Sequence, residues 1–277
     1  PWRPAAVGVS SRWAAAAGGA FAELLVPDGL TVHPSHRDRL AGGVLSSNIM
    51  YYHLYDPLVK RSADLSFGPG LAESWENVDE TTWRFKLREG VKFHNGNDFT
   101  AEDVVYTVEK ARESIRPDLV ANIASIPAVD DFTVEIKTPK PYAVLPNALA
   151  ELLILDSEYT EATGDEKMDL EPMGTGPYKL GEWIKEEKLV LNAFDGYWAG
   201  EPKIDTVTFR PITNPATRTA ALLTGEVDVI QDLAVRDVDR VKSEDGFEVV
   251  TRPSLLNVVL AMDTRAKSPT IEGDNPM

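Results

Sequence analysis

One stretch, residues 71–112, constrains the fold of this chain most strongly, because it predicts a hairpin, a loop and a helix in succession. Residues 82–87 alternate between apolar and polar side chains, which is the period-two pattern of a strand with one buried face. A second strand and a polar, turn-forming group precede them, so a β-hairpin is predicted. Thr100 and Asp103 form a capping box at the start of a helix with one apolar stripe. The stretch therefore predicts a compact unit of mixed strands and helices.

The chain is long enough for two domains. Its 277 residues exceed the usual size of one domain, and 43% hydrophobic residues can bury a core. Glycine and proline residues at 68–70 and 172–174 flank a segment that mixes strands and helices. The predicted fold class is α/β of the mixed α+β kind. A larger mixed-sheet domain consists of residues 23–64 plus 171–277, and a small α+β domain is inserted at residues 65–170.

Two further patterns predict additional elements of the fold. A strand, a helix capped at Asn214 and a second strand at 227–230 follow one another, and such units are usually parallel crossovers. At least one parallel strand pair is therefore expected. Residues 152–155 are all apolar, which favours a short buried strand.

The first 22 residues predict either a damaged signal peptide or a disordered tail. Arg3 and Arg12 precede a run of small residues, and Ala20-Phe21-Ala22 has the form of a signal-peptidase site before Glu23. We therefore expect an exported, soluble, periplasmic protein. The chain contains no cysteine residue to which a lipid anchor could be attached.

Composition excludes several classes of function. The formal charge of −16, from 44 acidic and 28 basic residues, repels phosphate backbones, so no nucleic-acid partner is expected. Without cysteine there is no disulfide, thiolate zinc site or cysteine nucleophile. No G-x-S-x-G, H-E-x-x-H, P-loop or dinucleotide motif occurs. We expect no cofactor, no metal site and no enzymatic activity.

Several segments of the sequence resemble those of one protein family. The text from Leu71 to Val105, "GTGPY" at 174–178, the text from Asn192 to Ile212 and "GEVDV" at 225–229 resemble the peptide/nickel-type (family 5) extracellular solute-binding proteins, which capture ligands for ABC importers. The resemblance covers roughly residues 24–277 and about the first half of a family member. It implies a periplasmic binding protein type II-like fold, first lobe only, with the second lobe missing as in a truncated gene model.

Four residues are candidate ligand contacts: His33, His36, Tyr51 and Asn257. His33 stands where the family usually has aspartate. With His36 it forms an H-x-x-H pair, which is able to ligate a metal, although an exposed loop is the favoured state. Tyr51 is suited to stacking on a ligand, but aromatic residues at helical spacing more often belong to a core.

The resemblance implies a solute-binding component that takes up dipeptides, oligopeptides or a similar small solute for a membrane ABC permease. The expected oligomeric state is a monomer. A ligand-binding sensor or chaperone relative of the same fold is an alternative, since it uses the same ligand clamp. A hydrolase is a weaker alternative, because abundant carboxylates alone identify no catalytic pair.

Overall fold

The computed structural model describes the backbone of residues 5–10, 21–26, 45–62, 64–114 and 117–252, and the side chains of residues 50–62, 64–114, 117–164, 167 and 170–251. In chain order the strands are β1 (Ala5–Ser10), β2 (Phe21–Val26), β3 (Val59–Arg61), β4 (Phe67–Pro69), β5 (Ala72–Asp79), β6 (Thr82–Leu87), β7 (Ala128–Asp130), β8 (Thr133–Lys137), β9 (Tyr178–Ile184), β10 (Lys188–Ala193), β11 (Thr206–Pro211), β12 (Val229–Ile230) and β13 (Phe247–Arg252). The helices are α1 (Leu45–Leu54), α2 (Ala101–Arg112), α3 (Leu145–Leu149), α4 (Ser157–Leu170), α5 (Pro215–Leu223) and α6 (Val238–Ser243), with short 3₁₀ helices at Pro117–Leu119 and Val235–Asp237.

The inserted domain is built on an antiparallel sheet with the strand order β5-β6-β8-β7. The predicted hairpin is confirmed as β5 paired with β6. Trp83, Phe85 and Leu87 are buried on one face of β6, whereas Arg84 and Lys86 are exposed on the other. The alternation in the sequence therefore predicted both the strand and its buried face. Strands β3 and β4 form a separate two-stranded ladder beside this domain.

The capping box of α2 also anchors a second helix. The Thr100 amide donates a hydrogen bond to Asp103 Oδ2 at 2.8 Å, as the sequence predicted. Asp103 Oδ1 in turn accepts from the amide and the hydroxyl of Ser157, at 2.9 and 2.7 Å. Burial raises the pKa of Asp103, although these hydrogen bonds favour the carboxylate. One buried carboxylate thus joins the start of α2 to the start of α4.

The larger domain contains a mixed sheet of seven strands in the order β13-β1-β12-β2-β11-β10-β9. The predicted strand-helix-strand unit is β11-α5-β12, and its two strands run in the same direction. They are not neighbours, because β2 lies between them and pairs in parallel with both. The expectation of parallel pairing is confirmed, and the central strand comes from the start of the chain.

Residues 5–10 lie within the stretch that the sequence assigned to a leader or a disordered tail. In the structure they form β1, which pairs antiparallel with β12 and with β13. A disordered tail would make no such ladder, so the backbone pairing departs from that alternative. The leader and its cleavage before Glu23 remain a prediction.

Residues 152–155 pass between two hydrophobic cores. Leu152 and Ile154 belong to the core of the inserted domain, whereas Leu153 and Leu155 belong to that of the larger domain. The predicted burial is confirmed, but the predicted strand is wrong. With the described residues this segment forms one isolated bridge, between Leu153 and Pro57, and no ladder. The run is wholly apolar because both of its faces are buried.

The chain crosses between the domains twice, at residues 54–58 and 172–177, which together we call the junction. The Asp56 carboxylate, 2% exposed, is the centre of the junction. It accepts from Lys60 Nζ and Trp198 Nε1, both at 2.8 Å, and from the hydroxyls of Thr175 and Tyr197 at 3.3 Å. Burial alone would lower the pKa of Lys60, but the Asp56 carboxylate and these hydrogen bonds raise it. Asp56 therefore holds both crossings and the 197–198 loop together.

The glycines of "GTGPY" are required by packing. A Cβ atom at Gly174 would lie 2.1 Å from the Leu54 carbonyl oxygen, and one at Gly176 would lie 2.5 Å from the His53 carbonyl oxygen. The two crossings therefore touch backbone to backbone. This contact supports the interpretation of the motif as a domain-crossing turn in preference to a phosphate loop.

His94 bridges the inserted domain and the second crossing. Its Nε2 lies 3.0 Å from the Gly176 carbonyl oxygen, and the Gly174 amide lies 3.4 Å from Nδ1. The ring packs edge-on against Phe194. Burial, with a smaller effect from Lys179, lowers the pKa of His94 from 6.5 to about 4. The fold thus holds the neutral ring, with its proton on Nε2.

The lowered pKa of His94 predicts a loss of stability in acid. As the pH falls from 6.5 to 4, the unfolded chain binds a proton at this residue while the folded chain does not, so the free energy of unfolding falls by up to about 3 kcal/mol. Urea unfolding across this pH range, on the wild-type chain and on His94→Gln, measures the effect. The free energy of unfolding of the wild-type chain minus that of His94→Gln should decrease as the pH falls. Parallel curves for the two proteins would contradict the assignment.

Candidate functional site

The carboxyl ends of three adjacent parallel strands meet at one edge of the larger sheet. β2 ends at Val26, β11 at Pro211 and β12 at Ile230, and their registers align these ends. Ligands of open α/β sheets bind outside the carboxyl ends of the strands. We therefore take this carboxyl edge, with the loops 212–214 and 231–232, as the candidate site.

A buried arginine fixes the two described loops of the carboxyl edge relative to each other. Arg218, on α5, is 2% exposed. Its Nη1 donates to the carbonyl oxygens of Ile212 and Thr213, at 2.7 and 3.0 Å, and its Nη2 donates to that of Asp232 at 3.1 Å. Both terminal nitrogens of this guanidinium donate to backbone carbonyls, so the side chain orients the edge.

The amino end of α5 also lies at the carboxyl edge, but it is already capped. The Asn214 side chain accepts from the amides of Ala216 and Thr217, at 2.9 and 3.1 Å, and Pro215 contributes no amide hydrogen. An anion would find few free first-turn donors here. The edge is therefore poorly suited to phosphate.

Gln231 is the unusual group of the carboxyl edge. It is 8% exposed, and its Oε1 has no hydrogen-bond partner among the described residues. The next residue, Asp232, is exposed and has a left-handed backbone with φ of 54°. A buried acceptor without a partner costs free energy, and strained backbone of this kind clusters at functional positions. The edge thus offers acceptors, an amide oxygen and a carboxylate, to a ligand that carries N–H groups.

The predicted site residues are distributed unevenly relative to this edge. His33, His36 and Asn257 lie outside the described residues, so their role stays a prediction. In sequence, the first two follow the end of β2, and the third follows β13, whose carboxyl end reaches the same edge. Tyr51 is 1% exposed and packs in the core of the larger domain. Its neighbour Tyr52 is the exposed tyrosine of α1, and its hydroxyl donates to the Ala150 carbonyl oxygen.

Sequence reasoning missed Gln231 and Asp232. Their position in the sequence could have identified them, because both residues directly follow the short apolar strand that ends a strand-helix-strand unit. Ligands of open α/β sheets bind beyond the carboxyl ends of such strands. Among the residues that the structure describes, no three His, Cys, Asp or Glu side chains converge in a way that suits a metal ion.

The unpartnered Gln231 oxygen predicts a stabilising substitution. Gln231→Met keeps the length of the side chain and removes the buried acceptor, so the free energy of unfolding should rise by about 1 kcal/mol. Chemical denaturation of the two proteins at pH 7 measures this difference. A loss of 1 kcal/mol or more would mean that the amide supports the fold and is not held for a ligand.

Comparison with known proteins places these features in context. Residues 66–275 match the family described as bacterial extracellular solute-binding proteins, family 5 Middle. The chain is 32% identical over 235 residues to the dipeptide-binding protein of Escherichia coli (strain K12), a match that covers 72% of the chain and 43% of that relative. It is 33% identical over 205 residues to the glutathione-binding protein GsiB of Escherichia coli O1:K1 / APEC, with 71% and 40% covered.

A solved structure agrees with the sequence comparisons. The ABC transporter-associated periplasmic binding protein DppA from Helicobacter pylori, in complex with the peptide STSA, superposes with a TM-score of 0.72 at 27% identity. The match covers 82% of this chain and 49% of that protein. The chain spans less than half of the length of the curated relatives it matches.

Proposed function

Because the chain belongs to the bacterial extracellular solute-binding proteins of family 5, we propose that it is the extracytoplasmic solute-binding part of an ABC importer. In this proposal it captures dipeptides, oligopeptides or a similar small solute and delivers it to a membrane permease. Its relatives are binding proteins, and the proposed role is binding without catalysis. The proposed location is the periplasm; every described helix is too short or too polar to cross a bilayer.

The observation that carries the proposal is the acceptor-rich carboxyl edge. A peptide brings an ammonium group and amide N–H groups, which are donors. Gln231 Oε1 and the Asp232 carboxylate are acceptors on rigidly held loops, because Arg218 fixes the backbone on which they lie. A site whose groups are fixed in advance loses less free energy to ordering when the ligand binds.

The same geometry serves a sensor or a chaperone-like relative, since capture of the solute precedes either outcome. The family membership and the named substrates of the relatives favour transport. A hydrolase finds no support in the carboxyl edge, where the described side chains offer no nucleophile paired with a general base.

The proposal predicts where peptides bind. Backbone amide NMR shifts of the ¹⁵N-labelled chain, recorded during titration with a pool of di- to tetrapeptides, should change at residues 212–214 and 231–232. Gln231→Met should weaken this binding about tenfold, because a ligand donor loses its acceptor. Thr224→Val, at the far end of α5, is the matched control and should leave the binding unchanged.

Two outcomes would contradict the proposal. One is a set of shifts that avoids the carboxyl edge, or an equal effect of Gln231→Met and Thr224→Val. The other is the appearance of new peptide amino termini during the titration, which would mean that the protein cleaves its ligand.

A further inference from the structure

A second cleft, of about 300 Å³, lies beside the junction, where the inserted domain meets the first strand after the second crossing. We call it the junction cleft. It is separate from the carboxyl edge, because β9 begins at the opposite edge of the sheet. The residues that line it include His94, Leu170, Glu171, Met173, Lys179 and Leu180.

The junction cleft carries one positive and one negative side chain. Lys179 makes no ion pair with any carboxylate that the structure describes, and its Nζ lies 4.9 Å from the centroid of the Phe194 ring. Glu171 is half exposed and makes only long contacts, 3.3 Å from the Tyr159 hydroxyl and 3.7 Å from Lys167 Nζ. Because no described carboxylate neutralises Lys179, its ammonium group is available to pair with an anionic group of a ligand.

The remaining walls of the junction cleft are apolar or uncharged. Leu170 leaves 63% of its surface exposed at the cleft, and Met173 and Leu180 are half-buried beside it. His94 is partly buried, and this desolvation lowers its pKa to about 4, so the ring is neutral at neutral pH. It therefore does not repel a cationic group at neutral pH.

We propose that the junction cleft is a binding site for a free amino acid with an apolar side chain. The ligand's carboxylate pairs with Lys179, its ammonium group pairs with Glu171, and its side chain covers Leu170 and Leu180. The volume agrees with a small ligand, because 300 Å³ is at the lower limit of the usual range for ligand pockets. A lone carboxylate or a lone amine satisfies only one of the two charges.

Binding at this position also acts on the junction. The cleft is lined by the loop of the inserted domain at His94, by the second crossing and by β9, so a ligand contacts both domains at once. A ligand that binds only when these three segments are assembled stabilises the assembly. In this proposal, a bound amino acid therefore stabilises the contact between the two domains.

The test titrates the labelled chain with L-leucine and follows the backbone amides of Met173 and Leu180 and the imidazole signal of His94. The expected result is one saturable set of shifts at these residues. Leucinamide, which lacks the carboxylate, and N-acetylleucine, which lacks the ammonium group, should each bind about fivefold more weakly or worse. Lys179→Gln and Glu171→Gln should each weaken leucine binding to a similar extent.

The matched controls are Lys185→Gln and Glu187→Gln, which make the same charge changes on the exposed β9–β10 turn and should leave binding unchanged. All four positions lie at least partly on the surface, so the variants should retain their circular dichroism spectra. No saturable shift with leucine, equal binding of all three ligands, or equal loss in the control variants would overturn the proposal.

This site goes beyond the proposed function and fails independently of it. If leucine shifts the amides at 212–214 and 231–232 and not those of the junction cleft, the amino-acid site is refuted while a solute site at the carboxyl edge is retained. Peptide binding that survives Lys179→Gln, together with leucine binding that survives Gln231→Met, establishes two separate sites.

Discussion

The Asp56 carboxylate is the group on which the arrangement of the two domains depends. It is buried where the chain first leaves the larger domain, and it accepts hydrogen bonds from residues that follow the return of the chain more than a hundred positions later. A carboxylate that is removed from water is stable only if donors surround it, and here Lys60, Thr175, Tyr197 and Trp198 supply them. Because Asp56 lies in the first crossing and its donors come from β3, the second crossing and the 197–198 loop, one carboxylate aligns all these segments.

This arrangement explains why the two candidate sites lie where they do. The junction is near the start of β9, whereas Gln231 and Asp232 lie beyond the carboxyl end of β12. The contacts of Asp56 and His94 that join the domains therefore involve no described residue of the carboxyl edge. The edge is instead organised from within the larger domain by Arg218, which uses its donors on the loop carbonyls. The junction cleft lies on the side of the junction itself, so a ligand there has access to both domains.

Local patterns in the sequence predicted the parts of the fold that local physics determines. The alternation at 82–87 and the capping box at Thr100 depend on near neighbours along the chain, and both appear as predicted. The apolar run 152–155 was predicted to be buried, but its non-strand backbone depends on having one core on each side, which a four-residue pattern does not specify. The position of β2 between β11 and β12 depends on pairing between distant segments of the chain, which no local sequence pattern specifies.

The candidate site was less predictable than the fold, for a related reason. Gln231 is notable because its oxygen is buried without a described partner, and burial of one atom follows from tertiary packing, not from residue type. Tyr51, which was chosen for its ring, lies in the core because α1 turns that ring toward the sheet. The "GTGPY" motif was assigned to a domain crossing from sequence, but only the structure gives the reason, which is the contact of its glycines with the carbonyls of His53 and Leu54.

Coupling of the two domains through Asp56 can be measured by differential scanning calorimetry of the wild-type chain, Asp56→Ala and Asp64→Ala. Asp64 is the control because its carboxylate is exposed and, among the described residues, accepts hydrogen bonds from Ser66 in its own turn. Asp56→Ala leaves the Thr175 hydroxyl and Trp198 Nε1 without their acceptor, at about 1 to 3 kcal/mol for each buried donor. The variant should therefore have a lower midpoint, and the unfolding of the domains should separate into two transitions. The wild-type chain and Asp64→Ala should share one cooperative transition. An unchanged midpoint and a single transition in Asp56→Ala would contradict the claim.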